Sequence, residues 1–117
     1  MIIAAIAFFS LAALLGMFLL TFVLRGKETP KAVVFTHGPL AVVGLVLLIV
    51  YSVSHKPGPV EAIILFAIAA TGGLFLLYRD LTNKPIPKWL AVVHGLLAVS
   101  GFVMLLFFAF GDHAHGA

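Results

Sequence analysis

The sequence contains two tandem copies of one pattern, 57 positions apart. Pro30-Lys31 leads through His37-Gly38 to Leu40-Ala41-Val42 and Gly44, and Pro87-Lys88 leads through His94-Gly95 to Leu97-Ala98-Val99 and Gly101. Upstream, Ala12, Ala13, Gly16, Phe18, Leu19, Leu20, Leu24 and Lys27 return as Ala69, Ala70, Gly73, Phe75, Leu76, Leu77, Leu81 and Lys84. About 21 of the 57 aligned positions are identical, which marks an internal duplication. A duplication restricts the fold severely. Whatever unit one half forms the other half forms too, and neither buries its apolar surface without its neighbour.

Composition says what that unit is. Of 117 residues, 63% are hydrophobic and 9% charged, more apolar surface than a water-soluble domain of this size can bury. The chain reads as an integral membrane protein. Four apolar segments, at about 2–24, 33–53, 60–78 and 89–110, are each long enough to span a hydrocarbon core of ~30 Å. Backbone groups in hydrocarbon must be paired within the segment, so each is expected to be a helix. The breaks are Arg25-Gly26-Lys27-Glu28-Thr29-Pro30, Lys56-Pro57-Gly58-Pro59, and a stretch from Asp80 to Pro87 with two prolines. Connections this short make consecutive helices antiparallel neighbours. The expected architecture is all-α: one transmembrane domain over 1–117, a four-helix bundle of two tandem hairpins with repeats at about 1–57 and 58–114.

Each repeat holds two helices, so both copies enter the membrane in the same direction and their pseudo-two-fold axis runs along the membrane normal. The second and fourth helices are then equivalent and diagonally opposed. Arg25, Lys27 and Lys31 in the first connection and Arg79, Lys84 and Lys88 in the third put those ends in the cytoplasm, with both termini outside, in a membrane of the bacterial inner type. Tyr78 and Trp89 fall at the inner interface. The first ~24 residues lack a basic leader and align with 62–81 of the second copy, so they are expected to stay as part of the fold. Without cysteine the chain has no disulfide or thiolate site. Its net charge of +3 forms no basic stripe of the kind that binds nucleic acid.

His37 and His94 each lie six positions past the lysine that marks the membrane edge, ~9 Å deep along a helix. Across a diagonal of ~11–14 Å, two imidazoles would reach one iron atom between them. His37, Ala41, Gly44 and Leu48 form one helical stripe, and His94, Ala98, Gly101 and Leu105 the matching one. Gly38 and Gly95 follow the histidines, and Gly16 and Gly73 lie on the first and third helices. These small residues are expected to leave clearance for a flat macrocycle. Imidazole is a common axial ligand of haem iron, and two symmetry-related ionisable residues inside a membrane point to function.

Three other readings of the histidines stand beside this one. They would lock the helices by hydrogen bonding to Thr36, Ser100 or Thr71. They would titrate in a proton path or small transporter. Or the chain would be a structural subunit of a larger membrane complex. Pro39, where the second copy has Leu96, removes an N–H and frees the Phe35 carbonyl, so the second helix is expected to kink there. A helix starting only at Pro39 would leave 40–53, ~21 Å, too short to span. His55 and His113 lie toward the outer end and a second haem there is not expected; His115 belongs to the tail. Glu61 reads as a favourable charge in the first turn of the third helix, and Arg79 and Asp80 as solvated. Lys31 and Lys88 read either as positive-inside anchors or as contacts for haem propionates or an acidic partner.

In architecture the chain resembles the small four-helix transmembrane b-type cytochromes, on the strength of His37, His94 and the small-residue stripes. The cytochrome b561 type usually carries two histidine pairs, where this chain has one clear pair. The resemblance implies one haem b per chain with His37 and His94 as axial ligands, and electron exchange with quinone or a redox protein at the bilayer rather than substrate chemistry of its own. In length the chain also resembles the small multidrug resistance transporters, but its first helix lacks their membrane glutamate.

Overall fold

The computed structural model describes residues 1–111. Four helices follow one another: α1 over Ile2–Leu24, α2 over Lys31–Ser54, α3 over Val60–Leu81 and α4 over Lys88–Leu106. A π-helical turn over Phe107–Gly111 continues α4, and there is no strand among the described residues. All four helices are long and apolar enough to cross a membrane. The molecule measures 50 × 20 × 19 Å. A helix with its side chains is ~10–12 Å across, so this cross-section is a two-by-two array. The packed neighbours are α1–α2, α3–α4, α1–α4 and α2–α3, which sets α2 and α4 on one diagonal and α1 and α3 on the other.

The helix ends follow from local chemistry. Gly26 and Asn83, 57 positions apart, adopt φ values of 70° and 57° just past α1 and α3. At α1 the Lys27 N–H bonds to the Phe22 carbonyl and the Gly26 N–H to that of Val23; at α3 the Lys84 and Asn83 N–H groups bond to Arg79 and Asp80. These are Schellman closures, and Gly and Asn are the residues that tolerate the left-handed position. Pro30 and Pro87, extended at ψ 117°, precede α2 and α4. Helix α2 runs through Pro39, so His37 lies inside the helix and not in a loop. The π turn at Phe107–Gly111 was not expected.

The core is small and built from residues 57 apart. Ala5, Phe9 and Ala12 are buried on α1, and Ala62, Phe66 and Ala69 on α3. Gly44 and Leu48 are buried on α2, and their counterparts Gly101 and Leu105 on α4. Phe9 and Phe66 stack across the diagonal, with ring centroids 3.9 Å apart and planes within 4°. Large apolar side chains cover the outside, among them Leu14, Met17, Leu74 and Val103. Water would be a poor solvent for such a surface, and hydrocarbon a good one.

Candidate functional site

The two histidines approach each other across the bundle, six residues into α2 and α4. Their ring centroids are 6.3 Å apart and their planes nearly perpendicular, at 84°. His37 reaches from α2 and His94 from α4, the diagonal pair, and both are half-buried.

Each ring is anchored to the neighbouring helix of its own hairpin. His37 Nδ1 lies 2.8 Å from the Ala12 carbonyl oxygen, and His94 Nδ1 lies 2.7 Å from that of Ala69. A carbonyl can only accept, so Nδ1–H donates in both contacts. The neutral ring then carries its free lone pair on Nε2. Such a bond to a backbone carbonyl is also the usual outer-shell restraint on a metal-ligating histidine. The expected alternatives Thr36 and Thr71 are not the partners. Their hydroxyls donate to carbonyls of their own helices, at Ala32 and Ala67. Ser100 is exposed.

The glycines are positions of close approach. A Cβ at Gly16 would stand 2.9 Å from His37 Cε1, and a Cβ at Gly73 2.9 Å from His94 Cε1. These glycines let the imidazoles come close to α1 and α3. At Gly44 a Cβ would meet the Phe9 ring at 3.1 Å, and at Gly101 the Phe66 ring at 3.2 Å. Imidazole thus approaches two of these glycines and phenylalanine the other two. Gly38 and Gly95 have nothing within 4 Å of the Cβ position. Ala41 and Ala98 are half-buried on the histidine stripes.

A second polar cluster lies where the α1–α2 and α3–α4 connections meet. The Lys31 Nζ donates to Asp80 Oδ1 at 2.9 Å and to Thr29 Oγ1 at 3.0 Å, and Thr29 Oγ1 donates to Asp80 Oδ2 at 2.7 Å. Asp80 was expected to be solvated, yet its side chain is only 12% exposed. The reason is electrostatic: a carboxylate in the last turn of a helix faces the negative end of the dipole, and Lys31 and Thr29 offset that. The clamp joins the halves of the chain over 49 positions and leaves no local trace in the sequence. Its neighbour Arg79 is also engaged, through Nε to the Pro85 carbonyl at 2.8 Å. Glu61 lies in the first turn of α3, as expected.

His55, just beyond α2, is exposed and stacks on Tyr51 at 4.3 Å. His113 and His115 lie outside the described residues. Among the described residues no three His, Cys, Asp or Glu side chains gather at one point. Comparisons with protein families, with curated proteins and with solved structures found no match.

Proposed function

We propose that this chain is a small integral membrane b-type cytochrome, with His37 and His94 as the axial ligands of one haem. The observation that carries the reading is the relation of the two rings: 6.3 Å between centroids, with each Nδ1 tied to a carbonyl. With each Nδ1–H committed to a carbonyl, two Nε2 lone pairs on diagonal helices are left to hold one metal. Among the described residues two side-chain donors converge, too few for a bare structural ion, whereas a porphyrin supplies four nitrogens of its own. Haem held by these two imidazoles would supply one-electron chemistry.

The chain's own residues do the rest. The Ala12 and Ala69 carbonyls hold the tautomer that presents Nε2, and Gly16 and Gly73 let the rings lie close to α1 and α3. In this reading the two hairpins are related by a pseudo-two-fold along the membrane normal, the lysine-rich connections face the cytoplasm, and electrons pass to or from a quinone or a redox protein. The visible spectrum of the purified protein is the test. Reduction should give sharp alpha and Soret bands, and His37→Ala or His94→Ala should abolish or weaken them. A colourless, folded protein would end the proposal.

One second reading has an observation in its favour. The same Nδ1 bonds and the close fit at Gly16 and Gly73 would serve a purely structural pair that pins α2 to α1 and α4 to α3. The protein would then be a structural subunit. Substituting either histidine would lower stability and leave no spectral change to measure.

A further inference from the structure

The end of the bundle that carries the α1–α2 and α3–α4 connections encloses a cleft of about 440 Å³. It is lined from positions 23–31 and 80–88, and every lining residue of the first stretch has its counterpart 57 positions later in the second. The cleft therefore lies between equivalent faces of the two halves, but its charges are not equivalent. In one half Lys31 has Asp80 and Thr29. The positions equivalent to Asp80 and Thr29 are Val23 and Ile86, which offer Lys88 neither a carboxylate nor a hydroxyl.

Lys88 makes no ion pair among the described residues, and neither does Lys27. The Lys84 ammonium donates to the Tyr78 hydroxyl at 3.2 Å and lies 4.9 Å from the centre of its ring. The lining holds four lysines against two carboxylates, Glu28 and Asp80, and Lys31 already occupies Asp80. Lys88 is also the first residue of α4, where a cation opposes the helix dipole. An anion in the cleft would answer both defects at once.

We propose that this cleft binds a phosphate group, with Lys88 as its main counter-ion and Lys27 and Lys84 beside it. The group comes from an anionic phospholipid or from free phosphate. The exposed Tyr78 and Trp89 border the same end of the bundle, as aromatic residues do at headgroup depth, and basic pockets between spanning helices hold anionic headgroups. The lipid source rests on the membrane reading; the anion site rests on the cleft alone.

Thermal unfolding of the full chain in neutral detergent, followed by circular dichroism, tests the site in two arms. One titrates inorganic phosphate, and the other adds phosphatidylglycerol or, for comparison, phosphatidylcholine. Phosphatidylglycerol should raise the midpoint where phosphatidylcholine does not, and Lys88→Gln should require about fivefold more of it. Lys27→Gln should shift the same titration in the same direction by less. Stabilisation by phosphatidylglycerol alone identifies the headgroup, and stabilisation by both anions shows that phosphate suffices. No stabilisation by either, or an identical titration with Lys88→Gln, overturns the site. The His94→Ala protein should titrate unchanged, which keeps this site apart from the pigment; loss of binding there would overturn its independence.

Discussion

Replacing Gly73 by alanine sets two physical effects against each other. Alanine is the better helix former, by about 1 kcal/mol in a helix interior, so propensity alone makes the substitution stabilising. Sterics oppose it. The new Cβ would stand 2.9 Å from His94 Cε1, 3.5 Å from Nδ1 and 3.6 Å from Nε2. Carbon atoms pack at about 3.5–4.0 Å, so the ring must retreat by roughly half an ångström or more. Its Nδ1 bond to the Ala69 carbonyl, now 2.7 Å, would stretch toward the limit for such a bond. Overpacking, including loss of that bond, costs about 1–3 kcal/mol. Set against the propensity gain, Gly73→Ala should destabilise by about 1 kcal/mol.

Gly95, one residue past His94, is the control. It lies in α4 with nothing within 4 Å of its Cβ position, so Gly95→Ala should be neutral or stabilising by up to about 1 kcal/mol. (Gly38 is a poorer control because Pro39 restricts its backbone.) Denaturant unfolding of the two variants in one detergent, read by circular dichroism, should separate them by about 1–2 kcal/mol. In a His94→Ala background the obstruction is gone, and the penalty at Gly73 should vanish. If Gly73→Ala stabilises as much as Gly95→Ala, or its penalty survives without the imidazole, the packing argument fails.

Other expected outcomes concern the rest of the bundle. Phe66→Ala removes a ring that is 6% exposed and stacked on Phe9, and should cost about 3–5 kcal/mol in the same unfolding assay; Phe66→Leu should cost visibly less. Asp80→Asn should cost about 1 kcal/mol, and a double-mutant cycle with Lys31→Gln should return a coupling that shrinks as salt is raised; additive effects would refute the clamp. Asn83→Gly should be neutral or stabilising, because Asn83 has φ 57°, whereas Gly26→Ala should destabilise by about 1 kcal/mol at φ 70°. Reversed signs at either position would contradict the closures of α1 and α3.

The helix boundaries show how much could be read directly. The segments at 2–24, 33–53, 60–78 and 89–110 fall within a few residues of α1 to α4, because runs of apolar residues and the Gly, Asn and Pro breaks between them act locally. The diagonal placement of His37 and His94 also follows from counting helices per repeat, once short connections force neighbours to be antiparallel. The use of the small residues did not follow. Gly16, Gly44, Gly73 and Gly101 were legible as close-approach positions, but not which group approaches: imidazole at two of them and phenylalanine at the other two. Nor did Asp80 announce its partners, since Thr29 and Lys31 lie 51 and 49 positions away.

By itself the amino-acid sequence determined the number of helices, where each begins and ends, and that two histidines lie at matching positions in duplicated halves. These properties depend on chain length, apolar runs and turn residues, all of them local. The tertiary structure decided that Nδ1 of each histidine bonds to a carbonyl of the adjacent helix, that Phe9 and Phe66 rather than a void fill the space over Gly44 and Gly101, and that Asp80 belongs to a clamp. The reason is that contacts across the bundle are not local. The small-residue stripes mark which side of α2 and α4 turns inward, but nothing in an otherwise apolar helix says which side chain of its neighbour meets each position, so those contacts are settled only when all four helices pack together.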